Sequence, residues 1–460
     1  MNTPALQDRF NSRSIGLKLI VVCGLALLMT IPALFVFALI EERTSRQADV
    51  TKEIAQYVGG KQTFLGPTLA VPYTVTENSY LKHGTYFVFP SKASAVLKTR
   101  TEERRRSLFK VPVFQAEIAM DAAFDLAGVP SSAPAGADLD WTHAEIVLGV
   151  SDARGALADG TVTMDGKTST LVPAASATEL SLGSDKGLTK LTLLGTPAEN
   201  VAKPAAQFKV TSALRFSGAQ RVAVLAYGKT TTLAVNGDWA NPSFDGGFLP
   251  VNRTVTQNGF SAEWSVPFIA RGVRAEGPES TIAGLNETAL GVSFVEVADS
   301  YQSVSRSLKY VLLFLGLLFL SYFVFEVTTG KRVHPAQYLL VGMAQIIFYL
   351  LLLSLAERIG FDFAFLIAGG ATVMLLAANA AWIFESRMQG LRALAIFSML
   401  YSLIYLLLRL QDNALLVGAV ASFVAVAAAM YFTRNVDWYS SLPAAATPGR
   451  MPDERRDFLR

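Results

Sequence analysis

Charge is scarce in this sequence. Only 17% of its 460 residues are Asp, Glu, Lys or Arg, whereas soluble domains run nearer a quarter. The shortage is local. Residues 41–309 have an ordinary soluble composition, while the beginning and the last third are nearly free of charge. That split marks a membrane protein carrying one extramembrane domain. Cysteine is almost absent. The single Cys23 lies inside the first apolar run, so no disulfide can form within the soluble block. A block of that length buries a core without one, so the lack does not argue against an oxidising compartment. Histidine is rare too. His83, His143 and His334 have no partner at metal-ligand spacing. The first two read as structural or exposed, and His334, beside Lys331 and Arg332, as interfacial. No P-loop, zinc-protease motif, nucleophile elbow or dinucleotide fingerprint occurs, so no catalytic residue, cofactor or metal is expected. A formal net charge of +3 is too small to point to nucleic acid.

What is present is a set of long apolar runs. A bilayer core needs about 20 apolar residues in a helix. Six runs approach that: 19–40, 310–325, 335–356, 363–384, 393–408 and 414–432. The first is too long for a signal-peptide core, and no small-x-small site precedes Glu41, so it reads as an uncleaved anchor. Basic residues set the orientation. With the N-terminus in the cytoplasm, Arg9, Arg13, Lys18, Lys331, Arg332, Arg387, Arg392, Arg434, Arg450, Arg455, Arg456 and Arg460 all fall on that side, and the short external loops hold only Arg358 and Arg409. Both termini are then cytoplasmic and residues 41–309 are periplasmic. Trp382, Tyr431, Trp438 and Tyr439 fall at the same cytoplasmic interface, where amphipathic rings prefer to sit.

Within the exported block the pattern changes. Glu41–Tyr57 keeps helical spacing and should extend the first helix beyond the bilayer until Gly59-Gly60 stops it. Beyond this the period becomes two. Phe208, Val210, Ser212, Leu214 and Phe216 alternate with Lys209, Thr211, Ala213 and Arg215. Further short β-branched and aromatic runs are punctuated by Gly, Pro, Asn and Asp. They predict one or two antiparallel sandwiches or barrels. The Ser/Ala/Pro/Gly loop 131–137 is the best place for an internal boundary.

Candidate functional residues are few. Glu326 follows an apolar run that barely spans, and intramembrane charge is expensive. It marks either a polar site between helices or an interfacial partner of Lys331 or Arg332. Glu357 and His334 are the other polar groups at span ends. Asp152 and Arg154 pair an acid with a base in a turn: a catalytic site on one reading, an ion-paired turn on the other. The run from Glu102 to Arg106 reads as a solvated edge, or as a contact with anionic lipid or protein.

Phe323-Val324-Phe325-Glu326, the stretch from His334 to Gly342, the stretch from Phe348 to Glu357, and Thr433 to Tyr439 resemble segments of the CreD family of inner-membrane proteins. In the external block, Asp152-Ala153-Arg154-Gly155 and Asn241 to Pro250 are similar to family segments, whereas 160–205 matches poorly. The resemblance implies an inner-membrane protein tied to envelope integrity and stress, linked to a two-component regulatory system and to colicin tolerance, with no established catalytic residue or ligand to carry over. The leading expectation is a non-enzymatic envelope protein: a six-helix bundle in the lipid bilayer holding a β-domain that binds a protein, lipid or glycan of the envelope. The rivals are a transporter or lipid-handling protein using Glu326, His334 and Glu357, and an enzyme with an unfamiliar periplasmic site.

Overall fold

The computed structural model describes residues 15–77, 80–106, 109–131, 133–184, 187–198, 200, 202–295, 300–329, 331, 333–409 and 414–434. They fall into two compact units. One is Arg46–Val297; the other joins Met1–Ser45 to Ala298–Arg460.

The second unit is helical. Helices α1 (Ile15–Leu28) and α2 (Thr30–Val58) form nearly one rod with a turn at Met29. Pro32 has no N–H to give the Leu28 carbonyl, which loosens the helix there. The ladder still bridges the turn through Met29 N–H to Leu25 O and Ala33 N–H to Met29 O. Past its apolar part α2 runs on through the polar stretch and ends where Gly59 takes a φ of +90°, as the Gly-Gly pair predicts. The remaining helices are α3 (Ser300–Lys309), α4 (Val311–Thr329), α5 (Pro335–Ile359), α6 (Phe361–Ile383), α7 (Arg387–Arg409) and α8 (Ala414–Thr433). Among the described residues, five helical stretches are long and apolar enough to cross a membrane: Lys18–Val58, Val311–Thr329, Pro335–Ile359, Phe361–Ile383 and Arg387–Leu408. The sixth expected span coincides with α8, whose side chains are described only in part. Apolar residues face outward all round these helices, while the interior is filled with rings. Phe348 meets Phe365 at 5.6 Å and Tyr401 at 5.0 Å, and Tyr322 stacks on Phe397 at 5.6 Å. Gly342 lets α5 approach closely, since a Cβ there would lie 2.7 Å from Met29 Cγ.

The other unit is a β-sandwich. Its main strands are β1 (Gln62–Glu77), β2 (Tyr80–Val88), β3 (Lys92–Arg106), β4 (Phe109–Asp125), β5 (Glu145–Val150), β6 (Gly187–Pro197), β7 (Gln207–Ala219), β8 (Arg221–Leu225), β9 (Thr230–Gly237), β10 (Gly259–Val266) and β11 (Ala289–Phe294). An eleven-stranded sheet runs Glu179–Ser184, β6, β5, β1, β8, β11, Pro242–Gly246, with β2 on the outer half of β1. An eight-stranded sheet runs Asn252–Thr256, β10, β9, β3, β4, β7, Thr161–Met164, Lys167–Thr170. Strand β7 shows why they stack: from Phe208 to Phe216 alternate residues are buried and exposed, which gives one apolar face to cover. The inner faces interlock through Phe64 on Phe216 at 5.3 Å, Phe114 on Phe294 at 5.2 Å and Phe244 on Trp264 at 5.9 Å.

Of the one or two sandwiches expected there is one, with a single continuous core. Two expectations are corrected. The loop at 131–137 is no boundary, because strands on both of its sides enter the same sheets. Nor is the sandwich wholly antiparallel: β1 pairs with β8 and β9 with β3 in parallel. Alternation reports which face a residue takes, not the direction of its neighbour, so these pairings were invisible in the sequence.

Candidate functional site

Glu326 lies near the C-terminal end of α4 and is buried. Its neighbours come from three other segments. Oε1 accepts from the Lys18 ammonium of α1 and, at 3.0 Å, from the Val333 N–H. Oε2 accepts from the Tyr338 hydroxyl of α5 at 3.0 Å. The Lys18 ammonium also donates to the Val333 carbonyl at 2.7 Å. A buried carboxylate needs this much compensation. Of the two partners expected, Lys331 donates to Glu385 at 2.8 Å instead, and Arg332 lies outside the described residues. Both oxygens of Glu326 are engaged, so the group joins α1, α4, the α4–α5 loop and α5. Two of the segments that resemble the CreD family, Phe323–Glu326 and His334–Gly342, meet at this carboxylate. Sequence reasoning missed Lys18 and Tyr338. A tyrosine one turn into the next span, close after a span-ending acid, was the available signal.

His334 has a local task. Its Nδ1 accepts from the Ala336 N–H at 3.2 Å and caps α5, with Pro335 in the first turn. Glu357, near the other end of α5, faces Arg43 at 4.0 Å. The structure does not bring these two to Glu326 as one site. In mid-bundle, Tyr401 donates to Gln345 at 2.5 Å, a buried polar contact that a search for ionisable residues overlooks.

Asp152 and Arg154 are brought together, but in a turn. Asp152 Oδ1 accepts from the Arg154 N–H at 3.0 Å, and the guanidinium adds contacts of 2.9 and 2.7 Å. That guanidinium holds the Asp152 carboxyl below its ordinary range, and the carboxylate raises Arg154. Arg154 is exposed. The turn delivers Gly155 to a crowded junction. Buried Gln62 donates through Nε2 to the carbonyls of Gly59, Asp152 and Ser217 at 2.8, 3.0 and 3.3 Å. This pins the end of α2 to the start of β1. The segment Asn241–Pro250 is similarly architectural. Arg221 grips Asp245 with two contacts of 2.8 Å, and Ser293 donates to the same carboxylate at 2.5 Å. The exposed charge run at the end of β3 is paired, Arg104 with Glu102 of its own strand at 3.0 Å and Arg106 with Glu53 of α2 at 2.6 Å. The solvated-edge reading of it fits.

The sandwich also carries an open cleft of about 830 Å³. It is lined by Pro72 to Thr74, His83 to Thr85, Asp138 to Thr142, and Ala175-Ser176. Pairing builds its floor. Thr74 stands opposite His83 on β2 and opposite Asp138 on the short strand Asp138–Leu139. Residues directly opposite share a face, with Cβ atoms about 5 Å apart. Carboxylate, hydroxyl and imidazole therefore form one row. Asp140 caps the turn Trp141–His143: Oδ1 accepts from the Thr142 N–H at 3.0 Å and from its hydroxyl at 2.5 Å, and Oδ2 meets His143 Nδ1 at 2.6 Å. The Thr142 contacts, then His143, pull the exposed Asp140 carboxyl from 3.8 down to about 2. The other rim is fastened by buried Glu145, whose Oε2 accepts from the Ala175 and Ser176 N–H groups at 3.1 and 2.8 Å, while Thr85 donates to the Ser176 carbonyl at 2.8 Å. Trp141 leans on the core with part of its ring and lines the cleft with the rest. The run Asp138-Leu139-Asp140-Trp141-Thr142-His143 was the signal for this site.

A bundle of apolar helices joined in one chain to a large two-sheet β-unit defines a multi-pass membrane protein with a single extramembrane domain. The profile of the family described as "Inner membrane protein CreD" matches residues 14–439. The chain is 32% identical over 447 residues to the inner membrane protein CreD of Escherichia coli strain K12, covering 93% of this chain and 94% of that one. The chain belongs to the CreD family.

Proposed function

We propose that this inner-membrane protein supports envelope integrity by holding its β-sandwich in the periplasm, where the cleft around Trp141 binds a component of the envelope. Six spans, with both termini in the cytoplasm and residues 41–309 exported, follow from the bias of Lys and Arg toward one side. The role is binding rather than catalysis, because the acidic residues with clear neighbours are engaged in structure. The observation that carries the reading is the cleft. It is large enough for a small ligand, about 300–1,000 Å³ being usual, and it combines a partly exposed indole with convergent polar groups. In vivo photo-crosslinking tests it. A photoreactive amino acid replacing Thr142 in the full chain should capture an envelope component, whereas one replacing the exposed Lys167 should not. No adduct at Thr142 in growing cells overturns the reading.

A second reading, lipid handling, is favoured by an apolar groove of about 940 Å³ between α4, α7 and α8, lined by residues such as Leu320, Val324, Leu403 and Val420. It matches an acyl chain in size and polarity. If it guides lipid past the Glu326 group, Glu326→Gln must abolish activity in a folded protein; full complementation of a deletion by that variant sinks this reading.

A further inference from the structure

We propose that the cleft is built for a neutral, hydroxyl-rich ligand, a short oligosaccharide, stacked on Trp141 and hydrogen-bonded to the row Asp138, Thr74 and His83. The proposal rests on the reading of the cleft as a binding site and narrows its ligand.

Four ligand classes can be weighed against the walls. An extended peptide adding itself as a strand needs a free sheet edge. Here the edge of β1 is taken, by Leu139 opposite Tyr73, Asp138 opposite Thr74, and the Asp140 N–H on the Pro72 carbonyl at 2.8 Å. A phosphate or carboxylate ligand would meet Asp138 and Asp140, and Asp140 stays ionised because the Thr142 and His143 contacts hold it so. Among the described residues, no Lys or Arg lines the cleft to offset them. An acyl chain would strand the hydroxyls, imidazole and carboxylates without partners, which is costly for polar groups removed from water. A cationic peptide would seek both carboxylates, but the two oxygens of Asp140 are already held by Thr142 and His143. Asp138 alone is a weak anchor for a chain of positive charges in an open, hydrated cleft.

A neutral saccharide meets none of these obstacles. Its ring has an apolar C–H face that packs on an aromatic surface and a rim of hydroxyls that both donate and accept. Thr74 offers a hydroxyl, the Thr85 oxygen can accept while its proton stays on the Ser176 carbonyl, Asp138 accepts, and His83 can do either according to its tautomer. Both rims are fixed, one by the Asp140 cap and one by Glu145, so the ligand meets a preformed surface and little ordering opposes binding.

The test is calorimetric titration of the full chain in lipid nanodiscs with three probes: chitotriose as neutral saccharide, trilysine as cationic peptide and glycerol 3-phosphate as anion. Saturable binding of chitotriose that weakens at least tenfold in Trp141→Ala, by less than threefold in Trp141→Phe, and at least fivefold in Asp138→Ala supports the proposal. Unchanged circular dichroism shows that each variant folds. Binding of trilysine or glycerol 3-phosphate instead of chitotriose overturns it, as does chitotriose binding indifferent to Trp141. If chitotriose fails while the Thr142 crosslink still captures a component, the saccharide assignment falls and the binding site stands. If both fail, both fall.

Discussion

At the scale of single residues, Glu326 and Lys18 make the sharpest case. The pair is largely removed from water, and its remaining capacity is taken up by Tyr338 and Val333. Removing one member leaves the other's charge uncompensated. Glu326→Leu or Lys18→Met alone should therefore lower stability by about 3 kcal/mol, the low end for a broken buried pair because Lys18 keeps some solvent contact. The double variant should lose less than either single one, since no orphan charge remains. Thermal unfolding in detergent checks the order. Asp140 gives a pH prediction. Its folded carboxyl titrates near 2 rather than 3.8, so its contribution to the turn is fully present above about pH 4 and is lost as pH falls toward 2. The part of the Trp141 environment that depends on Asp140 should then change only below about pH 4. Thr142→Ala removes the largest cause and should move that change to higher pH. Tryptophan fluorescence of wild type against Trp141→Phe reads it. The sequence announced Glu326 as expensive but not its partner, because Lys18 is hundreds of residues away. It offered Asp152 and Arg154 either as a catalytic pair or as an ion-paired turn, and seen in place the two close a turn.

At the scale of elements, the long apolar helices and most strands were legible because each has a one-dimensional signature, an apolar run or a period of two, whereas the polar helix α3 was not foreseen. The end of α2 at the Gly59-Gly60 pair could be read to within a residue. Partner and direction could not be read, so the parallel pairings of β1 with β8 and β9 with β3 appear only in three dimensions. The junction after α2 depends on an absence of side chains. A Cβ on Gly155 would lie 2.4 Å from the Ser217 carbonyl and 2.5 Å from Gln62 Nε2. Gly155→Ala should cost about 1–3 kcal/mol, as overpacking of a tight site does. Gly183→Ala, where nothing lies within 4 Å of the added atom, should be nearly neutral. Chemical unfolding of the two variants followed by tryptophan emission separates them. If the two variants behave alike, the crowded junction does not secure the helix-to-sheet connection.

At the scale of the whole molecule, the account depends on a partition. In the proposed arrangement, long apolar stretches at both ends of the chain cross the bilayer and the β-sandwich between them is exported. Composition made that partition visible before any coordinate, because a charge-poor segment of span length has few alternatives. The binding role was far less legible, since the cleft draws its residues from four separated stretches of sequence that meet only in three dimensions. Everything proposed for the cleft presupposes the export. The most direct test uses the natural shortage of cysteine. In a Cys23→Ser background, Lys167→Cys places one thiol on the sandwich and Arg450→Cys places one in the C-terminal tail. Intact cells with a permeabilised outer membrane are treated with a membrane-impermeant maleimide. The account predicts that the thiol at 167 is labelled at once and the thiol at 450 only after the inner membrane is broken; labelling at 450 with protection at 167 would contradict it.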